Sequence, residues 1–240
     1  MIFKRMKKDV ELNGEPLPLH LTGEDGEVWM EFPGEVVAAS RQAINRMMRT
    51  EPFPQCLSTI SAVRQEGVTY LSRAIGTVLA EDMMERVCVL ELNWWWPADY
   101  PSIMVNRPGI AEVLKGNATL EEAIMPTSME NLALIPAGNA AGDQISKFSS
   151  SDHLQEIIIA LSEQYDHLIL DLPSVITTSD AIPLAALGTG LCLIVRQGVT
   201  PPQRVQTALD DLDHLKIMGV ILNQVNISTP SFILNYIAQD

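Results

Sequence analysis

From residue 56 onward, short, largely apolar runs alternate with longer stretches that carry an apolar face at helical spacing. The runs lie at 56–60, 87–90, 132–135, 168–170, 191–195 and 218–222. Runs this short and this apolar predict strands buried on both faces. Between most of them lie helical candidates at 68–82, 109–124, 151–164, 178–187 and 202–214, the first carried by Leu71, Ile75, Val78 and Leu79. Strand and helix in alternation predict an α/β fold, a parallel β-sheet flanked by helices on both faces. In such sheets ligands bind beyond the carboxyl ends of the strands. Upstream, residues 35–49 carry a further helical pattern through Val36, Val37, Ile44, Met47 and Met48. Residues 1–33, rich in Gly, Pro and Glu, show no sustained period and predict an irregular arm. The expected division is an N-terminal arm and helix over 1–54 and an α/β domain over 55–240.

Charge narrows the partners. Sixteen Lys and Arg against thirty Asp and Glu leave a net charge of −14, which argues against nonspecific nucleic-acid binding through phosphate neutralisation. No apolar run approaches the roughly eighteen residues a membrane span needs, and the basic start Met1–Lys8 lacks the apolar stretch of a signal peptide. A cytoplasmic protein is expected. Three cysteines, Cys56, Cys88 and Cys192, are too scattered for a metal site and read as small core hydrophobes.

Three stations carry candidate chemistry. The first is Ser61-Ala62-Val63-Arg64-Gln65-Glu66-Gly67-Val68-Thr69, between a predicted strand and a predicted helix. This is the context of a phosphate-binding loop, whose glycines let backbone N–H groups close on phosphate and whose lysine neutralises it. Gly67 and Thr69 keep two of its positions, but Val68 stands where the lysine belongs. The second station is the strand end Val87-Cys88-Val89-Leu90-Glu91-Leu92-Asn93. The third, Tyr165 to Pro173, is an apolar strand ending in Asp171, where an aspartate typically orders water or metal beside phosphates.

Taken in order, these stations resemble the bacterial tyrosine kinases (BY-kinases) of capsule and exopolysaccharide assembly, which are deviant Walker-type P-loop ATPases. Their first motif is similar to S-A-x-P-G-E-G-K-[ST], their second to V-L-L-I-D-A-D-L-R-R-P and their third to Y-D-x-[IV]-I-[IL]-D-T-P-P. Gly109 to Gly116, Leu132 to Gly138, Ser179-Asp180-Ala181 and Gly219 to Asn223 also fall in register with the family, so the resemblance spans roughly 55–225. It implies a P-loop NTPase fold and a nucleotide site drawn from Glu66, Gly67, Thr69 and Asn223. Any magnesium would sit on Thr69, Glu91 and Asp171.

The departures from the family decide the expected function. Val68 removes the phosphate-binding cation, Arg64 and Gln65 replace a Pro-Gly pair, Glu91 lengthens a carboxylate and Asn93 replaces another. Each charge-assisted phosphate contact is worth about 1.5–3 kcal/mol. Losing a lysine and an acid together should cost several powers of ten in turnover. Val68, Glu91, Asn93 and Asp171 are thus expected as relics of a catalytic site, with no cofactor retained. Binding of ATP or ADP with magnesium is the alternative. Arg64 and Arg73 are the cations at hand to stand in for the lysine.

The family's tyrosine-rich tail is represented by Tyr236 alone, and only Arg41 remains of an E-x-x-R-x-x-R helix that packs subunits into a ring. Three consecutive indoles, Trp94, Trp95 and Trp96, cannot all face one core and are expected, with Arg41, at an interface. The leading expectation is a catalytically inactive interaction subunit in polysaccharide synthesis or export. Its partner would be the cytoplasmic part of a membrane-embedded polysaccharide co-polymerase or a related envelope protein, in a homo- or hetero-oligomer. It would meet the membrane only through that partner. A residual tyrosine autokinase or ATPase is the second reading. A positioning ATPase, which would need a basic surface or a basic amphipathic tail, is the third.

Overall fold

A computed structural model describes residues 17–49, 51–97 and 107–224. A seven-stranded sheet runs through its centre. In chain order the strands are β3 (Cys56–Ser61), β4 (Val87–Glu91), β5 (Met125–Pro126), β6 (Leu132–Ile135), β7 (His167–Asp171), β8 (Gly190–Arg196) and β9 (Ile217–Asn223). Their spatial order is β5-β6-β4-β7-β3-β8-β9, parallel except for the edge strand β5. Side-chain alternation divides the apolar residues between two layers. Cys56, Ile60, Cys88, Leu90, Leu168, Leu170, Leu191 and Leu193 face one layer. Leu57, Val87, Val89, Ile169 and Cys192 face the other.

Helices cover both faces. On the second layer lie α1 (Gly34–Met47) and α2 (Val68–Met83), which bury Val37, Ile44, Ile75 and Leu79. On the first lie α3 (Ile110–Leu114), α4 (Leu120–Ala123), α5 (Gly142–Ser149), α6 (Asp152–Gln164), α7 (Ala181–Ala185) and α8 (Pro202–Asp211). The start of α6 is fixed locally, because the Ser151 hydroxyl accepts the Leu154 N–H at 3.1 Å and caps an otherwise unpaired donor. None of the helices among the described residues is long and apolar enough to cross a membrane. The three cysteines are buried free thiols, their pKa values pushed up by burial.

Two expectations need correction. The described part of the arm is not irregular: β1 (Leu19–Thr22) and β2 (Val28–Phe32) form an antiparallel hairpin around Gly26. Leu21 and Phe32 seal against α1 and α2. Four- and five-residue strands supply so few inward positions that their period is hard to see in sequence. The helical candidate 109–124 is two helices rather than one. Gly116 turns at φ 72°, and Thr119 then opens α4 with a reciprocal cap to Glu122.

Candidate functional site

The loop from β3 to α2 turns through two left-handed residues. Gly67 has φ 90°, and a Cβ there would lie 2.2 Å from Asn223 Nδ2, so only glycine fits. Gln65 has φ 64°, a left-handed conformation that costs a non-glycine residue about 1–2 kcal/mol. Surrounding structure holds it there. Buried Glu66 accepts the Val63 N–H at 2.8 Å on one oxygen, and the Arg196 N–H at 2.9 Å with the Thr200 hydroxyl on the other. Asn223 donates to the Glu66 carbonyl at 2.8 Å. Glu66 and Asn223, which the resemblance assigns to nucleotide, therefore use these polar atoms to shape the loop.

The carboxylate end is built by two neighbouring strands and one helix. Glu91 and Asp171 end β4 and β7, directly opposite in register, each 1% exposed. Across them α2 presents Thr69 and Arg73, four residues apart and so on one helical face. Thr69 lies close enough to Asp171 to favour its ionised form. Arg73 donates from Nη2 and Nε to Glu91 Oε1 at 2.5 and 3.1 Å, an ion pair with side chains 4% and 2% exposed. Burial, then the charge of Glu91, raises the Asp171 pKa well above the ordinary carboxylate range; Thr69 and Arg73 act in the opposite sense. Asp171 Oδ1 is buried with no hydrogen-bond partner.

The remaining site positions divide sharply. Val68, at the lysine position, is buried against Leu71 and Ile194. Asn93 accepts the Trp96 N–H at 3.2 Å on its side-chain oxygen. A cavity of ≈ 370 Å³ lies between the loop, Arg73, Asn93 and Trp96, within the range of small-ligand sites. A larger hollow of ≈ 530 Å³ between α1, α2 and the end of β9 lies away from Glu91 and Asp171 and shares only Gly67 and Tyr70 with it.

The tryptophan run separates by depth. Trp94 is a core residue, 5% exposed, donating from Nε1 to the Ala137 carbonyl at 2.8 Å and packing on Phe148. Its expected interface role is thereby corrected: the strand end turns that indole inward, where a backbone carbonyl satisfies its N–H. Trp95 is half-buried against the same core. Trp96 is half-buried too, and the Arg64 guanidinium stacks over its ring at 3.9 Å. Arg64 is thus engaged with an aromatic face at the cavity mouth. Arg41 pairs within the chain, donating to both Asp82 oxygens at 2.6 and 2.8 Å and tying α1 to α2. Tyr236 lies outside the described residues.

Sequence reasoning singled out every carboxylate here but missed the partner of Glu91. The signal was available: Arg73 follows Thr69 by one helical turn, and the extra methylene of Glu91 extends its reach.

These residues do not fit a magnesium ion. Magnesium demands near-octahedral oxygen ligands and keeps several of its waters. Glu91 is taken by Arg73, and Asn93 is an amide whose oxygen accepts the Trp96 N–H. No group of three metal-ligating side chains occurs among the described residues.

No family model matches the chain. Individual proteins do. The chain is 28% identical over 182 residues to the tyrosine-protein kinase ptk of Acinetobacter johnsonii, covering 73% of this chain and 24% of that protein. It is 29% identical over 126 residues to the succinoglycan biosynthesis transport protein ExoP of Rhizobium meliloti, covering 51% and 16%. The chain thus matches about a quarter or less of the length of these relatives. In three dimensions it resembles the kinase domain of the Escherichia coli tyrosine kinase ETK, with a TM-score of 0.70 at 21% identity over 82% of this chain and 78% of that one. It also resembles the septum site-determining protein MinD of Pyrococcus horikoshii, solved with Mg-ADP, with a TM-score of 0.58 at 22% identity over 76% and 77%. Sequence and fold together make the chain a relative of the bacterial tyrosine-protein kinases, built on the P-loop NTPase fold.

Proposed function

We propose that the chain is a catalytically inactive, kinase-like interaction subunit in exopolysaccharide or capsule synthesis and export. The observation that carries this reading is Val68, an apolar side chain packed against Leu71 and Ile194 where catalysis needs a cation on phosphate. Asn93 supports it, since its side-chain oxygen is engaged with the backbone of Trp96. The partner, inferred from what relatives such as the succinoglycan transport protein ExoP are named for, is the cytoplasmic part of a membrane polysaccharide co-polymerase or a related envelope protein. The protein itself would then be cytoplasmic, reaching the membrane through that partner.

A second reading, a nucleotide binder with residual kinase or ATPase activity, has one observation in its favour. Gln65 and Gly67 keep the left-handed backbone of a phosphate cradle. Incubation with magnesium and ATP separates the two. The inactive reading expects no ADP release and no phosphotyrosine. Phosphate appearing on Tyr236 would sink it.

A further inference from the structure

Glu91 and Asp171 stand side by side at the ends of β4 and β7, each 1% exposed. Two carboxylates in so dry a place cannot both stay ionised without a positive charge beside them. In a magnesium-dependent P-loop site the metal supplies much of it. Here the charge comes from the chain. Arg73 sits one helical turn beyond Thr69, its guanidinium donates twice to Glu91 Oε1, and its charge also favours the ionised form of Asp171. Arg73 lines the loop cavity as well, together with Thr69 and Asn93.

We infer that Arg73 is a built-in counter-cation that takes the place of the divalent metal at the Glu91–Asp171 pair, so that this cavity excludes magnesium and any phosphate ligand entering it binds metal-free. A divalent ion seeking Glu91 must displace the guanidinium, leaving a buried cation beside a dication. Arginine cannot relieve that repulsion by losing its proton. The inference goes beyond the proposed function, because it concerns metal binding alone and is read without nucleotide.

The test is a manganese titration of the full chain followed by the electron paramagnetic resonance of free Mn²⁺. The wild-type protein is expected to bind none at Glu91 and Asp171. Arg73→Met should gain affinity on the order of a hundredfold, from the scale of a broken buried ion pair, and its melting temperature should rise with Mg²⁺ while the wild-type does not respond. The double variant Arg73→Met with Glu91→Met should lose the gain. Wild-type binding that Glu91→Met abolishes overturns the inference, as does a folded Arg73→Met that gains nothing. If Arg73→Met does not fold unaided, its refolding yield against Mg²⁺ gives the same reading. A yield that rises supports the inference, and a flat one overturns it.

Discussion

The loop around Gly67 and the carboxylate pair at the ends of β4 and β7 are held in different ways. At the loop end the backbone persists: Gly67 is held where only glycine fits, and Gln65 keeps a left-handed conformation that its side chain disfavours. At the carboxylate end the strands deliver Glu91 and Asp171 as expected, but the charge between them has been rewired to Arg73. The loop's shape depends on Glu66, which gathers hydrogen bonds from Val63, Arg196 and Thr200. The loop's geometry is therefore maintained by packing and hydrogen bonds within the chain. The carboxylate end is held by charge instead. Two buried acids cannot both stay ionised there, so Glu91 depends on the Arg73 cation while Asp171 holds its proton above the ordinary carboxylate range.

The comparison breaks most forcefully at Arg73. Replacing it with Met leaves Glu91 buried and unpaired, an error worth about 3–5 kcal/mol in unfolding free energy by denaturant titration. Replacing Arg73 and Glu91 together with Met should recover most of that loss, because an apolar pair of similar volume removes both charges.

A subtler effect is expected at Asp171, whose pKa is raised from 3.8 by burial and by Glu91. Above the ordinary carboxylate range the unfolded chain has released this proton while the folded chain still holds it, so the contribution to stability falls as pH rises. Asp171→Asn has no such proton. Its stability relative to wild-type should therefore climb between about pH 4 and pH 8, as read from denaturation midpoints. A pH-independent difference would remove the burial argument.

The smallest effect belongs to the loop. Gln65→Gly should be neutral to about 1 kcal/mol stabilising, since relief of the left-handed strain is partly offset by the entropy of a freer unfolded chain. Marked destabilisation would mean that the Gln65 side chain does more than tolerate its position.

The sheet was legible in the sequence because fully buried strands cannot hide their apolar runs. Residues 132–135 are a strand to the residue, and the other five runs grow only by a residue or two at their ends. Short elements were not legible. The hairpin 19–32, the two-residue strand β5 and the eight-residue helix α5 offer too few periods to stand out. Among the site residues, Thr69, Glu91 and Asp171 announced their positions through spacing. Glu66 in the loop and Asn223 at the end of β9 were legible as a pair of site positions, but their hydrogen bonds to the loop itself were not. Trp94 was misjudged because three adjacent indoles give no clue to which one turns inward; the acceptor at Ala137 lies forty-three residues away. Arg73 was seen as a spare cation. What fixes its role is the register of β4 against β7, a tertiary fact that helix periodicity does not carry.

On the proposed reading the loop works with neither a metal nor a lysine. Calorimetric titration of the full chain with ATP and with ADP, each with and without magnesium, tests it most directly. No magnesium-dependent heat is expected up to about millimolar nucleotide, a free energy near −4 kcal/mol. Micromolar binding that requires magnesium would contradict it and would return the chain to the working kinases it resembles.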